Sequence, residues 1–381
     1  SRRAGRRGRD RIAPEMPYEH HEQYRRTVAD ARFRRSLVLR TVLEGVRTIA
    51  ERVRARRVPL SAVRRVHRLG AADLPLLLVT RNQADLLRAF LRHYRDLGVT
   101  RFIVVDDQSS DGTRELLVRE DDVDLWGSTV RYGAAKRGLL WMERLTSTYG
   151  LGRWYVKVDT DEFLVYDGME RHRLPALCRW LARRRERRLL APMLDLYASG
   201  RLSAAAADPD RPPWAVATHF DTTGYAIGVN ERTTTIFGGP RARLFGVRGQ
   251  LAKFPLMYWD RLTFFPRTPH APFPYVRNFG PIAGALLHFK LFADFPARVQ
   301  AAVAEGQYWQ AAREYRAYAS HLRDTPDPIM TTGTSAAYGG VHDLIERGFV
   351  APIDWEERDG GRAGRRSGRP ASVAAPAEMS T

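Results

Sequence analysis

A cluster of acidic residues follows an apolar run near the middle of the sequence. Residues 154–158 are mostly apolar, and Asp159-Thr160-Asp161-Glu162 comes directly after them. Two carboxylates at positions i and i+2, where a buried strand ends, can both face a hard divalent cation such as Mn²⁺ or Mg²⁺. Such a cation stabilises a diphosphate leaving group as its negative charge develops. An isolated Asp-x-Asp is more often a solvated turn, but this position favours Asp159 and Asp161 as metal ligands.

Two further polar clusters follow apolar runs earlier in the chain. Thr80-Arg81-Asn82 follows the run at 74–79, and Asp106-Asp107 ends the run that begins at residue 101. Ligands of open α/β sheets bind beyond the carboxyl ends of the strands, so the three clusters should converge on one crevice. Asp106 and Asp107 can accept hydrogen bonds from a nucleobase or a ribose. The alternative is an ordinary Asx turn leading into the helix after Gly112.

Basic residues near these strand ends are candidate phosphate contacts. Arg81 follows the first strand, and Lys136 with Arg137 lies near the start of the third predicted helix. Guanidinium and ammonium groups pair readily with phosphate oxygens, although each of these residues could equally face solvent.

Apolar runs alternate with helical periodicity in the segment that contains these clusters. The pattern predicts strands at 74–80, 101–106, 123–126, 154–158 and 189–193, and helices at 83–97, 111–119, 134–149 and 174–188. Strands and helices in this order predict an α/β fold with a doubly wound, mainly parallel sheet flanked by helices. Residues 209–281 are rich in Pro, Gly and aromatic residues, which predicts strands and long loops that could bind a second, acceptor substrate. Helices are predicted again at 295–318.

The net charge of +19 is concentrated near the N-terminus. Residues 1–70 hold 20 Arg and 7 Asp or Glu, which is 13 of the 19 surplus charges. Apolar residues at three- and four-residue steps between 18 and 69 predict a basic, amphipathic, helical extension. It would pack on the main domain or lie on an anionic membrane surface. Residues 1–16 and the tail after residue 357 are rich in Arg and Gly, which predicts disorder.

These patterns divide the chain into four parts. They are a basic N-terminal extension (1–70), an α/β half that carries the three polar clusters (71–200), a part rich in loops and aromatic residues (201–325) and a C-terminal segment (326–381). The sequence has one cysteine and no window of about 18 apolar residues. We therefore expect a cytoplasmic protein that could bind peripherally to the inner face of a membrane.

The middle of the chain resembles family 2 glycosyltransferases of the GT-A fold, in particular the bacterial subgroup known as glycosyl transferase family 2 type 4. The matching segments are residues 79–87 (VTRNQADLL), 90–94 (FLRHY), 97–113 (LGVTRFIVVDDQSSDGT) and 154–164 (WYVKVDTDEFL). Coverage is good from 74 to 167 and patchy from 238 to 295. The resemblance implies a GT-A-like version of the predicted sheet. It also implies that residues 71–200 form the nucleotide-sugar-binding half and that residues 201–325 lie on the acceptor side.

The resemblance also implies roles for individual residues. Thr80 and Asn82 look like nucleotide contacts, and Asp106 or Asp107 like the contact to base or ribose. Asp161 looks like the main metal ligand, and Asp159 like a neighbour of the sugar or ribose. The late subgroup motif matches Lys253-Phe254-Pro255 and Leu287-His288-Phe289-Lys290, so His288 would complete the metal site or Lys290 would hold phosphate. By composition alone, His288 is more often a buried core histidine.

The reaction that the resemblance implies is a metal-assisted, inverting transfer of a sugar. The donor would be a nucleotide-diphosphate sugar, with a UDP-sugar foremost, and the acceptor a hydroxyl of a glycan, a lipid-linked molecule or another compound. The acidic pair that supplies the base in many family members is not visible here. The candidates are Asp195, Asp221, Glu231 and Asp260, and Asp221 is favoured because its polar loop is flanked by aromatic residues.

Other enzyme classes fit the sequence less well. A sugar-phosphate nucleotidyltransferase or a dinucleotide-dependent oxidoreductase needs a Gly-rich loop after the first strand, and residues 81–85 contain no glycine. A metal-dependent nuclease or nucleic-acid-binding protein is the alternative from another class, because it would use both the basic region and the carboxylates. The excess charge lies before the catalytic-looking domain, so we expect no specific nucleic-acid partner.

Overall fold

The computed structural model describes residues 16–64 and 66–356. The predicted disorder of residues 1–16 and of the tail after residue 357 falls almost entirely outside this range. The strands are β1 (Tyr18–Glu19), β2 (Ser61–Ala62), β3 (Pro75–Thr80), β4 (Arg101–Asp106), β5 (Val123–Gly127), β6 (Arg153–Lys157), β7 (Glu162–Val165), β8 (Arg188–Asp195), β9 (His219–Asp221), β10 (Tyr225–Val229), β11 (Thr234–Gly238), β12 (Ala252–Trp259), β13 (Ala285–His288) and β14 (Ser335–Ala337).

The helices alternate with the strands in the first half and are less regularly interspersed with them in the second. They are α1 (His21–Ala29), α2 (Ala31–Ala55), α3 (Ala84–Asp96), α4 (Thr113–Val118), α5 (Leu139–Tyr149), α6 (Leu174–Arg183), α7 (Gly239–Phe245), α8 (Phe295–Glu305), α9 (Trp309–Asp324) and α10 (Val341–Glu346). Helices such as α3 bury an apolar face with leucines and Phe90, which explains their periodicity.

A nine-stranded sheet of order β2-β5-β4-β3-β6-β12-β8-β13-β7 forms the centre of the described structure. The strands β3, β4, β5, β6, β8 and β13 point the same way, and β2, β12 and β7 run antiparallel to their neighbours. The architecture is therefore α/β with a mostly parallel sheet flanked by helices, as the sequence predicts. The carboxyl ends of six strands and the amino ends of β7 and β12 share one edge.

Burial explains the strand sequences on this sheet. Residues 76–78, 102–105 and 189–191 are all at most 1% exposed, because both faces of the sheet are covered. Their apolar runs are continuous rather than alternating, which is why the first half of the fold is readable from the sequence.

The N-terminal extension is helical and packs on the sheet domain through α2. Arg52 Nε lies 2.5 Å from Glu143 Oε1 on α5, and Leu37 packs with Phe264 and Phe273. No described helix has the length and apolar character needed to cross a bilayer.

Two predicted helices are too long. The helix predicted at 134–149 begins only at Leu139, because Lys136 and Arg137 adopt positive φ angles of 51° and 58°. The helix predicted at 174–188 ends at Arg183, and Arg188 already begins β8. The segment 209–281 contains four strands, one of which, β12, lies inside the large sheet.

Candidate active site

Several polar residues meet at the edge where the six parallel strands end. Thr80 and Asp106 are the last residues of β3 and β4 and are register partners, as are Asp195 and His288 on β8 and β13. Asp161 lies between β6 and β7, directly before Glu162. Sheet topology therefore brings together residues that are up to 208 positions apart in the sequence.

Asp161, Glu162 and His288 form a group that could hold a metal ion. One ligand atom from each lies within 4.8 Å of those of the others. The antiparallel register sets Glu162 opposite His288, and the amide of Phe289 donates to the carbonyl oxygen of Asp161 at 2.8 Å. Two carboxylates and one imidazole suit a divalent transition ion, and the nitrogen favours Mn²⁺ over Mg²⁺. The donor set thus fits the expected cation.

Asp195 orients the imidazole of this group. Its Oδ1 lies 2.5 Å from His288 Nδ1, and its Oδ2 accepts a hydrogen bond from Arg241 Nε at 2.9 Å. His288 Nε2 is thereby turned toward Asp161 Oδ2, 3.2 Å away. Metal-ligating histidines commonly donate their other ring nitrogen to a carboxylate in this way.

The charges around His288 keep it protonated when no cation is present. Burial by itself lowers the pKa of His288, but the carboxylates of Asp161 and Asp195 outweigh burial and raise the pKa to about 9. Burial likewise opposes ionisation of Asp161, yet His288 lowers the pKa of this carboxyl below its ordinary value. A metal ion would have to displace the proton on Nε2 before binding the imidazole.

Asp159 is held by two lysines. Its oxygens lie 2.6 Å from Lys253 Nζ and 3.3 Å from Lys157 Nζ, and these ammonium groups lower its pKa although burial opposes this. Lys253 also pairs with Glu162. The sequence assigns Asp159 to the metal or the donor, whereas the structure shows it in an ion-pair cluster beside the Asp161 group.

Hydrogen bonds connect the end of β3 with residues 159–162, the acidic loop, and with the residues that follow β4. Thr80 Oγ1 lies 3.0 Å from Thr160 Oγ1. Arg81 donates to the carbonyl oxygens of Asp107 and Gln108 and to Glu305, and the side chain of Asn82 accepts from the amide of Ser110 at 2.8 Å. Thr80 therefore faces the acidic loop. Arg81 and Asn82 instead hold the loop that follows β4.

Two carboxylate oxygens at the end of β4 are buried without a hydrogen-bond partner among the described residues. They are Asp106 Oδ2 and Asp107 Oδ1. Arginines lie at longer range: Arg114 is 3.8 Å from Asp106, and Arg131 is 3.6 Å from Asp107. Burial also raises the pKa of Asp107. Unsatisfied buried acceptors are costly, so this strand end suits a ligand that donates hydrogen bonds.

Two predicted site residues lie in other surroundings. Lys136 Nζ pairs with Glu51 of α2 at 3.4 Å, in the turn before α5. Asp221, on β9, accepts two hydrogen bonds of 2.9 Å from Arg243 and one from the hydroxyl of Tyr197. Those contacts use three of the roughly four lone-pair positions of the carboxylate, which leaves little capacity for a general base.

The other candidate bases are also paired with arginines. Glu231 lies 2.6 Å from Arg40, and Asp260 lies 2.8 Å from Arg277. Among the four candidate bases, Asp195 is the one that contacts the candidate metal site, because it pairs with His288 as well as with Arg241. The sequence names it only as a candidate base, and the structure gives it an orienting position.

Sequence reasoning names Lys290 as a possible phosphate contact but misses its neighbours Arg241 and Glu314. Lys290 Nζ lies 3.7 Å from Glu314 on α9 and 4.6 Å from the ring centre of Tyr315. Arg241, in the first turn of the short helix α7, contacts both Asp195 and Glu314. Neither Arg241 nor Glu314 belongs to a recognisable motif, because their positions depend on how α7 and α9 pack against β8. The position of Lys157 could have been predicted, because it lies two residues before Asp159 and the side chains of alternate residues share one face of a strand.

Comparisons with known proteins leave the family open. No protein-family model and no curated protein matches the chain. Among solved structures, the chain is similar to HddC from Yersinia pseudotuberculosis, with 9% identity, a TM-score of 0.24, and 49% of this chain and 76% of the other covered. It is also similar to the inositol-1-phosphate CTP transferase from T. maritima, with 12% identity, a TM-score of 0.25, and coverage of 58% and 87%. For the UDP-glucose pyrophosphorylase from Acinetobacter baumanii the identity is 11%, the TM-score 0.23, and the coverage 72% and 92%. TM-scores this low do not establish a common fold or reaction.

Proposed function

We propose that this protein is a glycosyltransferase that takes a sugar from a nucleotide-diphosphate sugar with the help of a divalent cation. The observation that carries the proposal is the group Asp161, Glu162 and His288 at the edge where parallel strands end. Ligands of open α/β sheets bind at such an edge. Membership of family 2, the type 4 subgroup and the GT-A form of the sheet belong to the same proposal and rest on the sequence segments around Asp106 and Asp161.

The nucleotide would bind at the ends of β3 and β4. The oxygens of Asp106 and Asp107 that lack a hydrogen-bond partner among the described residues would accept hydrogen bonds from the N–H of a uracil or from ribose hydroxyls. Thr80 would lie between this subsite and the acidic loop, since its hydroxyl contacts Thr160. Arg81 and Lys136 would reach a phosphate only by exchanging their ion pairs with Glu305 and Glu51.

The diphosphate would lie over the acidic loop. A cation bound there would be held by Asp161, Glu162 and His288, and it would neutralise charge on the leaving diphosphate. Lys157 and Lys253 hold Asp159, and Lys290 lies close enough to Asp161 to interact with its charge. These lysines keep the acidic loop from repelling the donor phosphates.

The chemical step would be a displacement at the anomeric carbon. The acceptor hydroxyl oxygen forms a bond to the anomeric carbon while the bond between this carbon and the diphosphate oxygen breaks. The hydroxyl proton passes to a base. Attack from the side opposite the leaving group inverts the configuration, as the family resemblance implies. Asp221 would take the proton in competition with Arg243, which contacts both of its oxygens.

Donor binding and donor turnover test the proposal together. UDP-, GDP- and dTDP-sugars are screened by thermal shift with and without Mn²⁺, and nucleoside diphosphate release is measured with simple hydroxyl acceptors. Ligand at 100 times its Kd stabilises a protein by about 2.7 kcal/mol, which is readily detected. Asp161→Asn should abolish the Mn²⁺-dependent shift. Asp121→Asn, which removes an almost fully exposed carboxylate, is the matched control.

Two further arms separate the rival reactions. Pyrophosphate release from UTP or CTP with a sugar phosphate would identify a nucleotidyltransferase, and metal-dependent nicking of plasmid DNA or RNA would identify a nuclease. Either result, without nucleotide-sugar turnover, contradicts the proposal. So does a screen in which no nucleotide sugar stabilises the wild-type protein.

A further inference from the structure

The long helix α2 has one face packed on the protein and another face in solvent. On the packed face, Leu37 is 4% exposed and belongs to a cluster with Phe264, Phe273 and Tyr275. Arg52 anchors the same face through Glu143. Tertiary contacts therefore fix which side of α2 points outward.

The outward side of α2 is apolar, which is unusual for a solvent-facing helix. Six aliphatic side chains on this side are 47–66% exposed. They are those of Val38, Leu39, Val42, Leu43, Ile49 and Val53. At 100° per residue they lie within an arc of about 140°, so they point to the same side of the helix. The face is about 22 Å long at 1.5 Å per residue. Contiguous exposed apolar patches of this kind mark interaction surfaces.

Positive charge lies at both ends of this apolar face. Arg32 and Arg35 lie at its N-terminal end, and Arg54 and Arg57 lie at its C-terminal end, all of them exposed. By contrast, the acidic residues of α2 are engaged with the rest of the protein. Glu44 pairs with Arg232 at 2.7 Å.

The second acidic residue, Glu51, pairs with Lys136 at 3.4 Å. Like Glu44, it lies on the side of α2 that faces the protein. No Asp or Glu therefore lies on the outward face of α2.

We propose that the apolar face of α2 docks on an anionic lipid bilayer, with the helix axis in the plane of the interface. Aliphatic side chains would enter the boundary between headgroups and acyl chains, while the arginines at either end would contact anionic headgroups. Nucleic acid would match the arginines but not the aliphatic residues between them. A second copy of the chain would match the aliphatic residues but would bring the arginines of the two faces together.

Vesicle co-sedimentation of the full chain tests this surface. Vesicles of phosphatidylcholine and phosphatidylglycerol at a 7:3 ratio are compared with pure phosphatidylcholine vesicles at 0.1 M salt. We expect the wild-type protein to bind the anionic vesicles at least ~10-fold more tightly. Leu39→Gln/Leu43→Gln should lower that binding at least ~10-fold without changing the net charge. Leu262→Gln/Ile329→Gln, which removes two exposed aliphatic residues elsewhere, is the matched control and should bind like wild type.

A second measurement reports on insertion directly. Cys178 is the only cysteine in the sequence and is buried, so Val42→Cys provides one accessible thiol for an environment-sensitive dye. Its emission should shift to the blue with anionic vesicles. Unchanged emission, or equal vesicle binding by Leu39→Gln/Leu43→Gln and wild type, overturns the proposal. A dimer in solution that needs Leu39 and Leu43, with no vesicle binding, assigns the face to self-association instead.

Discussion

The pH dependence of Mn²⁺ binding tests how His288 takes part in the candidate metal site. In the cation-free protein, Asp161 and Asp195 raise the pKa of His288 to about 9, although burial opposes this. Only the neutral imidazole can bind a metal through Nε2, so Mn²⁺ has to displace one proton. The neutral fraction rises about 30-fold between pH 6.5 and pH 8.0 for a group of this pKa. The Kd for Mn²⁺ should therefore fall by about 30-fold over this range.

Isothermal titration calorimetry measures both the affinity and the released proton. At pH 7.0, titrations in buffers of different ionisation enthalpy should give about one proton released per Mn²⁺ bound. His288→Gln removes the titrating group while keeping an acceptor oxygen near Asp161, so its weaker binding should depend little on pH. Wild-type affinity that changes by less than about threefold, or a similar slope in the variant, would refute this account of His288.

Three more predictions follow from individual contacts. Asp161→Asn should lower turnover of the nucleotide sugar at least ~100-fold, the scale of losing one electrostatic stabiliser, whereas Asp121→Asn should leave it unchanged in the same coupled assay. Asp221→Asn should destabilise the protein by about 1–3 kcal/mol in urea unfolding, because Arg243 and Tyr197 lose a charged partner. A large loss of turnover with unchanged unfolding would instead support Asp221 as the base. Burial lowers the pKa of His93 from 6.5 to about 4, so the unfolded chain takes up its proton first and stability is lost as pH falls below about 6.5. Between pH 7.5 and 5.0, wild type should lose about 2 kcal/mol more than His93→Gln, and equal losses would contradict this assignment.

The first half of the fold can be predicted from the sequence because its strands are buried on both faces. The predicted strand at 101–106 coincides with β4, the one predicted at 74–80 is one residue longer than β3, and the one predicted at 154–158 is shifted by one residue relative to β6. Continuous apolar runs and intervening amphipathic helices leave few alternatives there. The turn at Lys136 and Arg137 carries no such signal, since neither residue type favours positive φ.

The second half of the fold is harder to predict because its strands are separated by long irregular segments. The strand β12 lies between β6 and β8 although 94 residues separate it from the end of β6, and Lys253 reaches Asp159 only through that pairing. The register of β7 and β13 decides that His288 faces Asp161. Composition alone favours a core histidine at this position, and the sequence resemblance is what names it as a ligand. Its role at a metal stays a prediction.

Charge balance in the candidate site predicts an order in the binding events. When no metal ion is bound, four carboxylates form ion pairs with four positively charged side chains. The carboxylates are those of Asp159, Asp161, Glu162 and Asp195, and the positive side chains are those of Lys157, Lys253, protonated His288 and Arg241. Adding a divalent cation and removing one proton leaves about one extra positive charge. A nucleotide diphosphate carries the opposite sign, so it should bind more tightly after the cation than before it. Because such coupling is reciprocal, UDP should strengthen Mn²⁺ binding by the same factor, and the effect should be absent in Asp161→Asn.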